Sequence, residues 1–174
     1  PAGPHGSGLE EQFRPGHLDG VRTIVERLFC TVGPSSAYFG EKDFQQTLVV
    51  SDLAREMGYP TIVVCPTVRE DSGLALSSRN VRVSPDEKNL AHQIYPALLA
   101  ARDVWQSGER TADRLSAAMT DHLNHDGLIV EYAEVRDPAH WTAQLPQTPL
   151  ERAQALIAVR IGSVRLIDNL RLDR

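Results

Sequence analysis

Ala37-Tyr38-Phe39-Gly40-Glu41-Lys42-Asp43-Phe44-Gln45-Gln46 begins as a short apolar run and turns charged after Gly40. Ala37–Phe39 reads as a strand, and the charged residues after it read as the loop at its C-terminal end. Upstream, Val21, Ile24, Val25, Leu28, Phe29 and Val32 recur at helical spacing and mark one apolar helix face, which Gly33-Pro34 stops. Downstream, Leu48, Val49, Leu53 and Met57 form a second helical pattern with Gly58 placed as its C-cap. Thr61–Cys65 is another apolar run, closed by Pro66. Helix, strand, helix, strand, with continuous rather than alternating apolar strands, predicts a parallel α/β sheet. Two strands are too few for a doubly wound domain. Further strands are expected upstream or from another chain.

The pattern changes character at Ser84. In Ser84-Pro85-Asp86-Glu87, Ser84 suits an N-cap, Pro85 the first helical position, and Glu87 the reciprocal side of a capping box. Leu90, Ile94, Leu98 and Ala101 supply an inward stripe, with Pro96 expected to kink the helix. A further helix is predicted from about Thr111 to His125 through Leu115, Met119 and Leu123. Strands follow over Ile129–Val135, Ala155–Val159 and Arg165–Ile167, with Gly162-Ser163 as the tight turn of a hairpin. Pro138 to Pro149 reads as a surface loop. The reading is therefore two parts, 1–83 and 84–174, the second a small α+β lobe. Pro1–Gly8 reads as flexible: a mobile loop, an expression scar, or an end left by a cut.

Composition narrows the function classes. The chain has 174 residues, 41% apolar and 24% charged, which is ordinary for a globular protein, and its formal charge of −5 argues against a general nucleic-acid surface. A local positive pocket for phosphate is still compatible with that charge. Cys30 and Cys65 sit in apolar surroundings and read as two buried free thiols, with neither a zinc spacing nor a disulfide framework. No run is long enough to span a bilayer and no signal-peptide pattern begins the chain, so a cytoplasmic protein is expected.

Three clusters carry candidate chemistry. Arg14-Pro15-Gly16-His17 precedes the first helix, where a guanidinium fork, an imidazole and a helix N-terminus all favour an anion; a plain loop with two exposed polar residues is the alternative. Gly40–Gln46 lies at the C-terminal end of a parallel strand, the edge at which open α/β sheets bind ligands. There Lys42 is suited to phosphate, Asp43 to magnesium or a donor group, and Gln46 to hydroxyl or carboxylate oxygens; an ordinary solvated turn is the alternative. Pro66 to Asn80 follows the second strand and opens on the same edge. Its Ser77, Ser78 and Arg79 put two hydroxyls beside a cation, as polyphosphate requires, without the Walker A spacing. The six histidines form no catalytic or metal grouping, and His92, His122, His125 and His140 read as structural or exposed.

Together the Arg14–Val21, Phe39–Gln46 and Pro66–Asn80 segments, with Asp168-Asn169 in the closing strand, resemble the pantoate–beta-alanine ligase (pantothenate synthetase) family. The similarity runs from about Leu9 to Leu172. It implies a partial Rossmann-like parallel sheet of the nucleotidyltransferase type in 1–83, followed by the α+β lobe. It also implies ATP and Mg2+-dependent joining of pantoate to beta-alanine through a pantoyl-adenylate, releasing AMP and pyrophosphate. By resemblance, Lys42, Arg79 and His17 are catalytic. Lys42, Asp43, Val68, Ser77, Ser78 and Arg79 contact the nucleotide, and Asp43 the metal. Arg14, His17 and Gln46 hold the substrates, and Gly73 lets its loop move. Leu76 stands where the family commonly has Met, Phe44 where Tyr is common, and Asp71-Ser72 in place of Ala-Asp. The family's upstream His-x-Gly-His-type nucleotide signature is not among these residues. The resemblance implies a homodimer as one expected partner, and a separately supplied N-terminal half is the other. A non-catalytic homologue acting as a binding partner, or a related adenylate-forming ligase with another acid, are the other readings.

Overall fold

The computed structural model describes residues 1–174 and divides them into two compact units, Pro1–Thr67 and Val68–Arg174. The sequence placed the change at Ser84. In the structure, Val68–Val83 belongs with the second unit, because Leu74 and Val83 enter that unit's core.

In the first unit a four-residue helix α1 (Glu10–Phe13) leads into α2 (His17–Val32), strand β1 (Ser36–Gly40), α3 (Phe44–Met57) and β2 (Thr61–Cys65). β1 and β2 pair in parallel, Ser36 opposite Thr61 through Gly40 opposite Cys65. Gly33 and Gly58 end the two long helices at positive φ, where a Cβ would be strained. The core joins Val25 and Phe29 of α2 to Val50, Leu53 and Ala54 of α3, with Ala37, Phe39 and Ile62 of the sheet against them.

The apolar stripe of α2 is not one buried face. Leu18, Val25 and Phe29 point inward, while Ile24, Leu28 and Val32 are 56%, 55% and 68% exposed. The two rows lie on adjacent sides of the helix, and α3 covers only one of them. The strands likewise present one bare side, with Tyr38 and Val64 exposed, so neither is buried on both faces as the continuous runs predicted. Cys30 is exposed on α2 and Cys65 half-buried; both are free, but neither is the buried thiol that the sequence implied.

Nor is the N-terminal segment loose. Gln45, buried on α3, donates to the carbonyls of His5 (2.8 Å) and Ser7 (3.1 Å), and its own carbonyl accepts the Glu10 N–H (3.2 Å). His5 pairs with Asp52, and the Ala2 N–H donates to Asp19. Pro4–Gly6 form a 3-10 turn within this strap. Side chains far along the sequence supply the ordering, which local composition cannot show.

The second unit carries α4 (Lys88–Ala91), α5 (Ile94–Gln106), α6 (Ala112–His122) and strands β3 (Leu128–Arg136), β4 (Gln154–Ile161) and β5 (Val164–Arg171). The strands make an antiparallel sheet in the order β3-β4-β5, with Gly162 at positive φ in the β4–β5 hairpin. Helices α5 and α6 bury Ile94, Leu98, Ala101, Leu115 and Met119 against Ala155, Ile157 and Val159. The Ser84 capping box forms as read: the Ser84 N–H and hydroxyl donate to Glu87 at 3.0 and 2.7 Å, and the Glu87 N–H returns to the Ser84 hydroxyl at 3.4 Å. Those hydrogen bonds hold the Glu87 carboxyl below the usual range. The helix then breaks rather than kinks, between Ala91 and Ile94. Pro96 has no N–H for the carbonyl of His92, so the ladder restarts beyond it. Both cores are built from the chain's own residues, and no helix is long and apolar enough to cross a membrane.

Candidate functional site

Each unit assembles part of the chemistry the sequence singled out. In the first, Gly40 lies opposite Cys65 in the parallel pair, so the segments after β1 and β2 leave the same edge of the sheet. Glu41–Asp43 turn there as a short 3-10 segment, and Phe44 starts α3. Lys42 and Asp43 are half-buried at that edge. Asp43 occupies the N-cap of α3 without bonding its N–H groups by side chain.

Gln46, in the first turn of α3, lines an open groove of about 510 Å³ together with Gly16, His17, Gly20, Val21, Ile24 and Val25. The structure thus brings His17 and Gln46 to one groove and leaves Arg14 outside its lining. Arg14 instead approaches the largely buried Glu10 carboxylate at 3.4 Å, one helical turn back. Gly16 takes the left-handed conformation that turns the chain into α2, and Gly20 keeps that helix surface low. The valines and isoleucine of the groove wall carried a core reading in the sequence. Their apolarity was legible, but their neighbour was not. The groove has an apolar wall with an amide and an imidazole on it.

In the second unit, Ser77, Ser78 and Arg79 share one tight turn. The Ser77 hydroxyl accepts the Arg79 N–H at 3.1 Å, and the Ser77 carbonyl accepts the Asn80 N–H at 3.0 Å. Ser78 is exposed, and Ser77 and Arg79 are half-buried. Asn80 anchors the turn from behind, donating to Glu70 at 3.0 Å and to the Ala75 carbonyl at 3.1 Å. Val68 is exposed, and its carbonyl accepts the Leu76 N–H at 2.9 Å. The turn thus carries two hydroxyls and a guanidinium, donor types suited to an anion.

The sequence reading missed Arg69. Its guanidinium donates twice to Asp168 of β5, at 2.6 and 3.1 Å, and lies 4.2 Å from the ring centre of Tyr95. A loop arginine gives no local sign of a partner 99 residues away. Among the histidines of this unit, His140 pairs with Asp137 at 3.0 Å, where burial raises the Asp137 carboxyl but hydrogen bonds from Ala139 and His140 bring it below its usual range. No group of three or more His, Cys, Asp or Glu side chains is arranged to hold a metal ion.

The family model described as pantoate-beta-alanine ligase matches residues 2–171. A pantothenate synthetase of Roseiflexus sp. (strain RS-1) is 44% identical over 98% of this chain, and one of Aquifex aeolicus is 43% identical over 96%. The crystal structure of pantothenate synthetase from Thermus thermophilus superposes with a TM-score of 0.90 at 40% identity, covering 99% of this chain and 62% of that one. A Francisella tularensis pantoate-beta-alanine ligase, complexed with beta-gamma ATP and beta-alanine, matches with a TM-score of 0.65 at 30% identity, over 95% of this chain and 54% of its own. This chain spans about 60% of the length of the curated relatives it matches, 62% and 59% for the first two. By sequence along nearly its whole length, and by fold, the chain belongs to the pantoate–beta-alanine ligase family.

Proposed function

We propose that this chain carries part of the machinery that condenses pantoate with beta-alanine at the expense of ATP, giving pantothenate, AMP and pyrophosphate. The observation that carries the reading is the groove where His17 and Gln46 stand on a wall of Val21, Ile24 and Val25. Pantoate has two methyl groups on one carbon for such a wall, and hydroxyl and carboxylate oxygens for an amide. Gln46 holds those oxygens, and His17 lies toward the incoming beta-alanine. Arg14 adds positive charge nearby.

The chemistry proceeds in two displacements. A pantoate carboxylate oxygen attacks the α-phosphorus of ATP, and the bond to pyrophosphate breaks. The beta-alanine amine then attacks the acyl carbon, loses a proton, and expels AMP. Charge accumulates on phosphate oxygens in the first step, so fixed cations and donors there lower the barrier. Lys42 serves as a point charge on phosphate, and Ser77, Ser78 and Arg79 serve as donors to it, with Val68 beside the nucleotide. Asp43 is the carboxylate that would hold Mg2+, an ion for which one or two protein carboxylates suffice. When bound, Mg2+ neutralises phosphate charge.

The exposed row of Ile24, Leu28 and Val32, with Tyr38 and Val64, supports a further part of the enzyme packing on the first unit. That part is an N-terminal half of the enzyme, with which residues 1–67 complete a nucleotide-binding domain. A homodimer and a cytoplasmic setting belong to the same reading.

The test is AMP release that depends on both pantoate and beta-alanine, assayed with and without an added N-terminal half. Lys42→Ala in the active assembly is expected to cost roughly 10²-fold in kcat. Unchanged turnover in that variant would remove Lys42 from the reaction. Equal activity with unrelated acids would assign the groove to another substrate.

A further inference from the structure

Ser77, Ser78 and Arg79 follow a segment that doubles back on itself. The Leu76 N–H donates to the Val68 carbonyl and the Glu70 N–H to that of Leu74, both at 2.9 Å, with Arg69 bridged antiparallel to Ala75. Its tip needs Gly73: φ there is +86°, and a Cβ would come within 2.2 Å of the Tyr95 ring. A backbone this short has few bonds of its own to resist displacement.

Arg69 supplies the missing restraint. Its guanidinium makes four hydrogen bonds inside the second unit: two to the Asp168 carboxylate, one to the Asn169 carbonyl (3.2 Å), and one to the carbonyl of Gly73 (3.0 Å). The last bond holds the hairpin tip, and the others hold β5. Tyr95 of α5 stacks on the guanidinium. Asp168 lies opposite Ile157 in the β4–β5 pair, so its side chain leaves the strand on the face that the helices cover. The Asp168 side chain is 1% exposed. A carboxylate so placed demands a cation with more than one donor, and the planar fork of arginine provides it where lysine would not.

We propose that Arg69 is a positioning residue for the nucleotide: tied to Asp168, it sets the register of the Val68–Leu76 hairpin and thereby places the Ser77–Arg79 turn for the ATP phosphates. The inference rests on the ligase reading for its ligand, while the tie itself is a property of the second unit alone. Arg69 touches neither phosphate nor pantoate in this role. Its loss therefore weakens nucleotide handling selectively.

The experiment compares full-length wild-type protein with Arg69→Gln, Arg69→Lys and Asp168→Asn. For each, KM and kcat are measured separately for ATP and pantoate, beside melting temperature and the rate of trypsin cleavage after Arg79 and Arg82. The expected result is a fall of about tenfold or more in kcat/KM for ATP, with the pantoate KM within roughly twofold. Arg69→Lys is expected to keep the fold yet fail to restore ATP use, because it keeps the charge and loses the fork. Cleavage after Arg79 or Arg82 should quicken in all three variants. The proposal is overturned by unchanged ATP kinetics with unchanged cleavage. It is overturned equally by loss of ATP and pantoate use in step with melting temperature, the signature of general destabilisation. If wild-type protein releases no AMP even with an N-terminal half supplied, the ligase reading fails, and the cleavage rates alone then decide whether the tie holds the turn.

Discussion

In the second unit, residues that helices and strands turn inward meet partners from the same unit: Leu98, Leu115, Met119, Ile157 and Val159 are all fully buried. In the first unit, a complete helical row, Ile24, Leu28 and Val32, stays more than half exposed, and the two-stranded sheet shows Tyr38 and Val64 on its bare side. The contrast is one of layers. Three antiparallel strands with helices packed on them close a core; two parallel strands with helices cover only part of what they offer. A sequence pattern says which face seeks burial, and remains silent on whether the covering surface lies in the same chain.

The sharpest way to break this comparison is to separate the units. Residues 68–174 alone are expected to melt cooperatively by circular dichroism, and residues 1–67 alone to show no such transition. A cooperative, monomeric melt of 1–67 would mean that its exposed row needs no cover. Next in size is a matched pair of truncations in the whole chain, read by denaturant unfolding. Leu98→Ala should cost about 2–5 kcal/mol, as buried leucines do. Leu28→Ala should stay within about 0.5 kcal/mol, as exposed positions do. Equal costs would show that the α2 row is buried in solution.

A smaller effect probes the helix start in the second unit. Ser84→Ala should cost about 1 kcal/mol, and NMR titration should find the Glu87 carboxyl moved part of the way back toward its ordinary range, since the hydroxyl bond that depresses it most is lost while the backbone N–H bond stays. Smallest and most local is the acid response of the N-terminal strap. Burial raises the Asp52 carboxyl, but hydrogen bonds from His5 and Arg55 outweigh it, and the net shift is downward. Its stabilising contribution is therefore complete above the ordinary aspartate value of about 3.9 and lost as pH falls through the lower folded value. Protection of the Gly6 amide, taken against the intrinsic exchange rate at each pH, should fall in that acid window, and in Asp52→Asn it should be low already at neutral pH. Protection that does not change with pH would detach the strap from Asp52.

Elements marked by short-range rules were legible before any coordinates. Thr61–Cys65 has the bounds read from its apolar run, Gly58 ends α3, and Ser84 with Glu87 forms its reciprocal cap. Each depends on residues within a turn of one another. The break at His92–Gln93 was half legible: Pro96 marked a disruption, but not that the helix would stop at Ala91 and restart at Ile94. At the site, consecutive residues such as Ser77, Ser78 and Arg79 could be named directly. The meeting of His17 with Gln46 required α2 and α3 to be packed first.

What the sequence determined by itself was the order and type of the elements, the parallel pairing, the polar residues at strand ends, and the family. All of these follow from backbone chemistry and from motifs read along the chain. Tertiary structure alone decided which side of α2 is covered, that Gln45 gathers the first residues into a strap, and that Arg69 reaches Asp168. Those outcomes depend on distance in space between groups far apart in sequence, and periodicity carries no information about such distances.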